Sequence, residues 1–268
     1  MIQDHQNRKV HPTTFLSANI RQRQLKECFQ LGIPHLDEVI ELYPGSLTLI
    51  QGQLPRGISR SLITQLTVSL LANNSNFDLV FIDGVDSFPY YQISIEARKR
   101  GLNPLAILDR IQLARAFNYH QVTEILTQKL PRLIDENENI RIILIPQISS
   151  LHLSDEALKY LEYDKLTATS CILELTRALG RLKSLIIQYD LIGLMTAESA
   201  PRSQKPLGGT FLAHTATDII RVEVSPISNN SSKGDVLLFS VQKGGPPVQV
   251  KISQQQAGEQ QTSLTRFW

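Results

Sequence analysis

The chain has 268 residues, of which 42% are hydrophobic and 19% charged, and its formal net charge is +2. The proportions are typical of a globular protein, and the length favours one large domain plus appendages. A charge this close to neutral does not predict nucleic-acid binding by bulk electrostatics, so any such binding needs a local patch. No apolar run approaches the roughly 20 residues of a membrane span, and no membrane partner is expected.

The cysteine content points to a reducing compartment. Cys28 and Cys171 lie far apart and form no CxxC pair, which argues against both a metal site and a disulfide framework. The N-terminus lacks the apolar segment of a secretory signal. We therefore expect a cytoplasmic, nucleoid-associated or nuclear protein without a bound metal.

In chain order, the first strong pattern is the stretch Leu47–Ser61, with the sequence LTLIQGQLPRGISRS. An apolar run ends at Gly52, four residues follow, and Gly57 introduces a helical pattern. Strand, glycine loop and helix in this order form the context of a phosphate-binding P-loop. Ser59 stands where a P-loop has its Mg²⁺-binding hydroxyl, but Ile58 occupies the lysine position and cannot neutralise a phosphate.

Apolar runs then alternate with helical patterns. The strand candidates are continuously apolar, as buried parallel strands are, and alternation with helices predicts a mostly parallel, doubly wound α/β sheet with a β-rich C-terminal part. The predicted strands after the first are Asp78–Asp83, Ile111–Phe117, Ile140–Ile145 and Leu191–Thr196, then β-like runs at 218–225, 235–242 and 247–252; the later helices are 92–101, Val122–Asp135 and about 154–188.

Three regions follow from this pattern. Residues 1–30 are a tail and linker, residues 31–253 form the core, and residues 254–268 are a polar tail that closes with an apolar peptide.

Two stretches resemble the RecA/RadA-type recombinases, the strand-exchange ATPases and their paralogs. RGLNPLAILDRIQLARAFNYHQ (100–121) is similar to the segment that leads into the family's third core strand. KPLGGTFLAHTATDIIRV (205–222) is similar to the segment after the second DNA-binding loop. With the weaker match GIPHLDEVI, the resemblance covers roughly residues 14–252 and implies a RecA-like P-loop core.

The resemblance also implies that the ATPase residues are missing. Besides Ile58 at the lysine position, Val85 occupies the position of the acidic general base, and Pro146 follows the fourth strand where a Walker-B aspartate is expected. Loss of all three predicts a non-enzyme without an ATP cofactor.

Several alternatives stay open at this nucleotide loop. Arg56 or Arg60 with Asp86 would give a rewired ATPase. A one-residue misalignment would leave Asp83 as the strand-end carboxylate. Backbone amides of the loop could also hold phosphate without hydrolysis.

The DNA-contacting loops depart from the family as well. The first-loop region, SSLHLSDEALKYLEYDKL, has acidic residues where the family has arginine and glycine. The second shrinks to Ala197–Gln204, which leaves Arg202 and the adjacent Lys205 as its cations. Affinity for DNA depends on the number of neutralised phosphates, so this loop predicts weak or no direct DNA binding. An ordinary solvated loop is the alternative.

Two short motifs predict protein partners. Phe15 and Ala18 match the family's F-x-x-A interface motif, which plugs pockets on a neighbouring subunit and adds a strand to its sheet edge. This motif predicts contact with a RadA-type recombinase; otherwise Phe15 packs on its own domain.

The last eight residues fit Q-x-x-[LIM]-x-x-[FY]-[FYW] through Gln261, Leu264, Phe267 and Trp268. The pattern is similar to the peptide that binds PCNA-type sliding clamps. A single 3₁₀ turn would place the three apolar side chains on one side as a plug. The alternative is an anchor that folds back on the β-rich edge.

Together these observations predict a non-catalytic RadA-like paralog that acts as an accessory or bridging factor in DNA repair, recombination or replication. An ATP-dependent recombinase-like enzyme with a rewired site, or a structural subunit that links the clamp to a polymerase or nuclease, are the alternatives.

Overall fold

A computed structural model describes residues 28–30, 37, 41–153, 165–199, 205–226, 235–243 and 249–253. These residues contain an eight-stranded sheet. Its strands in chain order are β1 (Ser46–Gln51), β2 (Asp78–Asp83), β3 (Ile111–Arg115), β4 (Ile140–Ile145), β5 (Ile192–Ala197), β6 (Asp218–Pro226), β7 (Asp235–Lys243) and β8 (Gln249–Ser253).

The spatial order of the strands is β3-β2-β4-β5-β1-β6-β7-β8. Every pairing from β3 through β6 is parallel, and β7 and β8 are added in antiparallel fashion. The predicted architecture, a mostly parallel α/β sheet with a β-rich C-terminal part, is thereby confirmed; the antiparallel pairing of that part is seen in the structure.

Helices cover both faces of the sheet. They are α1 (Arg56–Asn73), α2 (Tyr90–Lys99), α3 (Pro104–Leu108), α4 (Tyr119–Glu124), α5 (Leu130–Glu136), α6 (Lys165–Gln188) and α7 (Gly209–Thr215). A π-helical turn, Ile125–Lys129, joins α4 to α5. Pro131 in the first turn of α5 lacks an amide hydrogen, and the wider π turn absorbs the interruption that this would cause in an α-helical ladder.

The sheet separates two apolar cores. Side chains alternate along each strand, so Leu79 and Phe81 enter the core beneath α1–α3, whereas Val80 and Ile82 enter the core beneath α4–α7. Most of these side chains are fully buried. Because both faces are buried, the strands read as continuous apolar runs in the sequence.

Some boundaries differ from the predicted ones. The strand β3 ends at Arg115 rather than Phe117, because the Asn118 side chain accepts a hydrogen bond from the Gln121 amide and starts α4. The helices α3 and α7 were not predicted, since five and seven residues are too few for a clear 3.6-residue period. The predicted long helix is described from Lys165 onward.

Within the described residues, no helix combines the length and the apolar character that crossing a bilayer requires.

Candidate functional site: the carboxyl edge of the parallel strands

The loop after β1 runs from Gly52 to Pro55 and connects strand to helix tightly. A Cβ atom on Gly52 would lie 2.1 Å from the backbone oxygen of Val222 in β6. The Gly52 amide donates a hydrogen bond to the carbonyl of Ala197 at the end of β5, at 3.2 Å. Gly52 therefore serves close packing between two neighbouring strands, and its N–H group is already bonded within the sheet.

The rest of this loop is packed as well. The Leu54 side chain is partly buried against the core beneath α1. No residue from Gly52 to Gly57 has a positive φ, whereas the phosphate nest of a P-loop depends on left-handed residues that turn successive amides inward. A Cβ atom on Gly57 would meet nothing within 4 Å, so no close contact requires glycine there.

The first turn of α1 carries the remaining P-loop positions. Pro55 is the N-cap and makes no side-chain capping bond, and no acidic residue lies in this turn. Ile58 is half-buried and offers no polar group. The Ser59 amide donates to the carbonyl of Pro55 at 3.0 Å, as an ordinary first intrahelical bond.

Asp83 ends β2 and is buried. Its carboxylate oxygens accept hydrogen bonds from the amides of Val85, Ser87 and Phe88 at 2.9–3.2 Å, and from the Ser87 hydroxyl at 3.2 Å. These bonds close the loop that leads to α2 and satisfy the carboxylate. Asp83 thus has a structural task, and Val85 contributes its amide to it.

Asp86 adopts a left-handed conformation, with φ of 51°. Its side chain is 85% exposed, and its Oδ1 atom lies 3.4 Å from Nη2 of Arg115 on β3. An exposed pair of this kind contributes little to stability. The carboxylate that would serve a rewired site is therefore paired toward the β3 side of the edge.

Pro146 follows β4 and is buried. Gln147 turns the chain with φ of 46°, and its amide donates to the Thr196 hydroxyl at 2.9 Å. Residues 146–153, PQISSLHL, contain no aspartate or glutamate. The stretch directly after β4 therefore offers no carboxylate to a Mg²⁺ ion.

The described residues of this edge do not fit a magnesium nucleotide. Ile58 carries no charge for a phosphate, the loop has no nest of left-handed residues, and the turn after β4 contains no carboxylate. Within the described ranges, no group of three or more His, Cys, Asp or Glu side chains is placed to hold a metal ion.

The residues that flank the second-loop segment are joined to each other. Ser199 and Pro206 form an isolated antiparallel bridge, and the Leu207 amide donates to the Glu198 carbonyl at 2.6 Å. Lys205 is exposed beside this closure. Arg202 lies outside the described residues.

Sequence reasoning missed a buried histidine at the base of the first-loop region. His152 has no exposed surface, and within the described structure neither ring nitrogen has a hydrogen-bond partner. The centre of the Tyr119 ring lies 5.7 Å from that of His152 and 4.0 Å from that of His120, and the rings of Tyr119 and His120 are tilted by 37°. Burial, and secondarily repulsion by His120, lower the pKa of His152 from 6.5 to about 4.

The two predicted protein-binding motifs lie outside the described residues. This applies to Phe15 and Ala18 and to the C-terminal positions Gln261, Leu264, Phe267 and Trp268.

The strand order and the helix that follows the glycine loop define a RecA-like core. The Rad51 family model matches residues 28–226, which is most of the chain, and the chain therefore belongs to the Rad51 family.

Curated relatives match at low identity. The chain is 22% identical to DNA repair protein RAD51 homolog 1 of Arabidopsis thaliana, over 78% of this chain and 64% of the relative. It is 25% identical to DNA repair protein Rad51 homolog of Drosophila melanogaster, over 78% and 65%. For DNA repair protein rhp51 of Schizosaccharomyces pombe the identity is 23%, over 76% and 58%. The chain thus spans less than two thirds of the length of these relatives.

Proposed function

We propose that this chain is a non-catalytic Rad51-family paralog that acts as an accessory or bridging factor in DNA repair, recombination or replication. The observation that carries the proposal is the loop after β1. There Leu54 packs on the core, Gly52 lies in close contact with the backbone of Val222, and Ile58 replaces the lysine. Membership of the Rad51 family and the names of its relatives support the link to DNA repair.

Phosphoryl transfer needs positioned phosphates, a metal that neutralises developing charge and a group that orients the nucleophile. At this edge the phosphates would meet neither a lysine nor a nest of amides. A metal ion would find no carboxylate directly after β4, and Val85 stands where the group that orients the nucleophile is expected. Asp83 cannot replace Val85 without giving up the bonds that hold its loop. Several independent losses at one edge favour a scaffold over a slow enzyme.

Phosphate release from ATP by the full chain should match the enzyme-free background, with and without single-stranded DNA. The Ile58→Lys variant should stay inactive, because a restored lysine supplies neither the metal carboxylate nor the base. A coupled phosphate assay measures this. ATP turnover by the natural chain that disappears in Arg60→Ala would contradict the proposal and establish the rewired site.

Two docking motifs give the scaffold its proposed partners. The C-terminal peptide would bind a PCNA-type sliding clamp, because Leu264, Phe267 and Trp268 fit a hydrophobic plug and Gln261 a polar contact at the pocket edge. Phe15 and Ala18 would dock on a RadA-type recombinase by strand addition; a polymerase or nuclease is the alternative partner. On this chain the edge strand β3, where Leu113 is 40% exposed, would be the acceptor for a strand added in the same way.

The bridge predicts a ternary complex of clamp, chain and recombinase in size-exclusion chromatography. Calorimetric titration into the clamp should show binding by the full chain and none by a version that ends at Gln260. Phe15→Glu should lose the recombinase but keep the clamp. Gln254→Ala/Gln255→Ala, outside the motif, is the matched control and should bind like the natural chain; clamp binding that survives the truncation would refute this recruitment.

A further inference from the structure

The strand β3 lies at one end of the sheet and is paired on one side only. Its five residues, Ile111–Arg115, pair with β2 in parallel without a shift of register. The strand contains no proline, no lysine and no bulge, which are features that keep many edge strands from pairing with another chain. β3 is therefore an open edge of the sheet.

Alternate residues of β3 turn their backbone groups away from the sheet. The Arg110 carbonyl accepts a hydrogen bond from the Leu79 amide, and the Ala116 amide donates one to the Asp83 carbonyl, both at 2.9 Å. Because the bonded residues of a parallel ladder alternate, the even-numbered residues of β3 bond to β2. The N–H and C=O groups that point outward are those of Ile111, Leu113 and Arg115. Within the described residues these groups have no hydrogen-bond partner.

Side chains along this edge are exposed as well. Leu113, at the centre of the strand, is 40% exposed, and Phe117, two residues past the end of the strand, is 79% exposed. The Phe117 amide donates a hydrogen bond to the Gln121 side chain at 2.6 Å, so the free part of the edge ends before Phe117. Leu113 is thus the midpoint of the free segment Ile111–Arg115.

The free segment is complementary to a second copy of itself. In antiparallel pairing about a two-fold axis at Leu113, each Leu113 would face its own copy, and Ile111 would face Arg115 of the second copy. Each of the three outward residues would then donate one backbone hydrogen bond and accept one. The two Arg115 residues would lie four positions apart, about 13 Å, so no like charges would face each other.

The charge of this edge also favours self-pairing. Arg115 is the one charged residue of β3, and its Nη2 atom lies 3.4 Å from Oδ1 of Asp86. This pair leaves the segment without a net charge that would repel a second copy. An acidic or basic partner strand would gain no matching charge here, whereas a second copy supplies an apolar residue opposite Leu113.

We propose that two copies of this chain pair in antiparallel fashion through β3 and form one continuous sheet. An isologous contact of this kind closes as a dimer. A contact built on one short strand lies near or below the roughly 1,200 Å² of stable interfaces, so the dimer should dissociate on dilution. The inference goes beyond the bridging function: a partner strand would use the same edge, so the dimer and the partner-bound chain exclude each other.

Sedimentation velocity of the full chain over about a hundredfold range of concentration tests the proposal and should show a monomer that becomes a dimer. Leu113→Glu would place two carboxylates opposite each other at the axis and should weaken the dimer about tenfold or more. Leu113→Pro removes an outward N–H group, which an edge strand tolerates, and should have the same effect. Ile187→Glu, at a 57% exposed position of α6, is the matched control and should dimerise like the natural chain. Circular dichroism should show that all variants are folded.

Disulfide trapping tests the register of the pairing. The background is Cys28→Ser, because Cys28 is exposed whereas Cys171 is buried. Leu113→Cys would bring two Cα atoms to about 5.5 Å, within the range of a disulfide, and should cross-link on mild oxidation. Arg115→Cys would lie about 13 Å from its copy and should not cross-link.

A natural chain that stays monomeric, equal dissociation of Ile187→Glu, or equal cross-linking at both positions would overturn the proposal. Phe15→Glu should still dimerise. A dimer that disappears in this variant would also overturn the proposal, because the F-x-x-A segment of a neighbouring copy would then cover β3. A chain that ends at Gln260 should dimerise normally, so failure here and failure of clamp binding are separate results.

Discussion

Gly52→Ala should destabilise the folded chain by about 3 kcal/mol, at the upper end of what overpacking costs. The new methyl group would lie 2.1 Å from the backbone oxygen of Val222, a contact that requires β1 and β6 to separate. A side chain could rotate away, but a strand carbonyl at the centre of a sheet cannot. Equilibrium unfolding in urea, monitored by circular dichroism, measures the loss.

Gly57→Ala is the matched control, because its Cβ atom would meet nothing within 4 Å. At a helical position with an ordinary φ, this change should stabilise by about 0.4–1 kcal/mol through the unfolded state. Both glycines belong to the glycine spacing of a phosphate-binding loop, but only Gly52 is required by a close contact in this structure. Comparable stability of Gly52→Ala and the natural chain would mean that the loop does not pack on β6. It would favour the alternative in which the backbone amides of this loop bind phosphate.

The sequence reveals the scaffold because each central strand is buried on both faces. That burial makes Asp78–Asp83 and Ile140–Ile145 continuous apolar runs, and both strands have the predicted bounds. Short helices such as α3 carry too few periods to be seen. The start of α3 depends on a single capping hydrogen bond, which the Leu105 amide donates to the side chain of Asn103.

The packing of the loop after β1 could not be predicted from the residues of that loop. Glycine spacing predicts a P-loop, but the packing of Gly52 depends on Val222, far away in the chain and adjacent only through β-sheet pairing. The role of Asp83 was equally hidden. A carboxylate at a strand end suggests catalysis, and only the structure shows that backbone amides of its own loop already occupy it.

His152 should make the chain acid-sensitive between about pH 6.5 and pH 4. The buried ring keeps a pKa of about 4, whereas the unfolded chain takes up the proton near 6.5. Between these values the unfolded state binds more protons, so the free energy of unfolding falls as the pH falls. The difference of about 2.5 pKa units corresponds to about 3 kcal/mol of stability. This stability is fully present above about pH 7 and fully lost below about pH 4.

His152→Phe removes this proton uptake and keeps an aromatic ring beside Tyr119. The charged and titratable groups around the site, Tyr119 and His120 on α4 with Cys171 and Glu174 on α6, stay unchanged. At pH 7.5 the variant should be as stable as the natural chain or slightly more stable, because it replaces two buried ring nitrogens that have no described partner.

Urea unfolding at pH 7.5 and pH 4.5 separates this effect from the other acidic groups. The natural chain should lose about 2–3 kcal/mol more than His152→Phe between the two pH values. His214→Gln, at an exposed position, is the control and should behave like the natural chain. Equal losses in all three would mean that His152 is solvated or paired. Water or a hydrogen-bond partner would then reach His152 beside Tyr119 of α4, and protonation of this ring would not destabilise the fold.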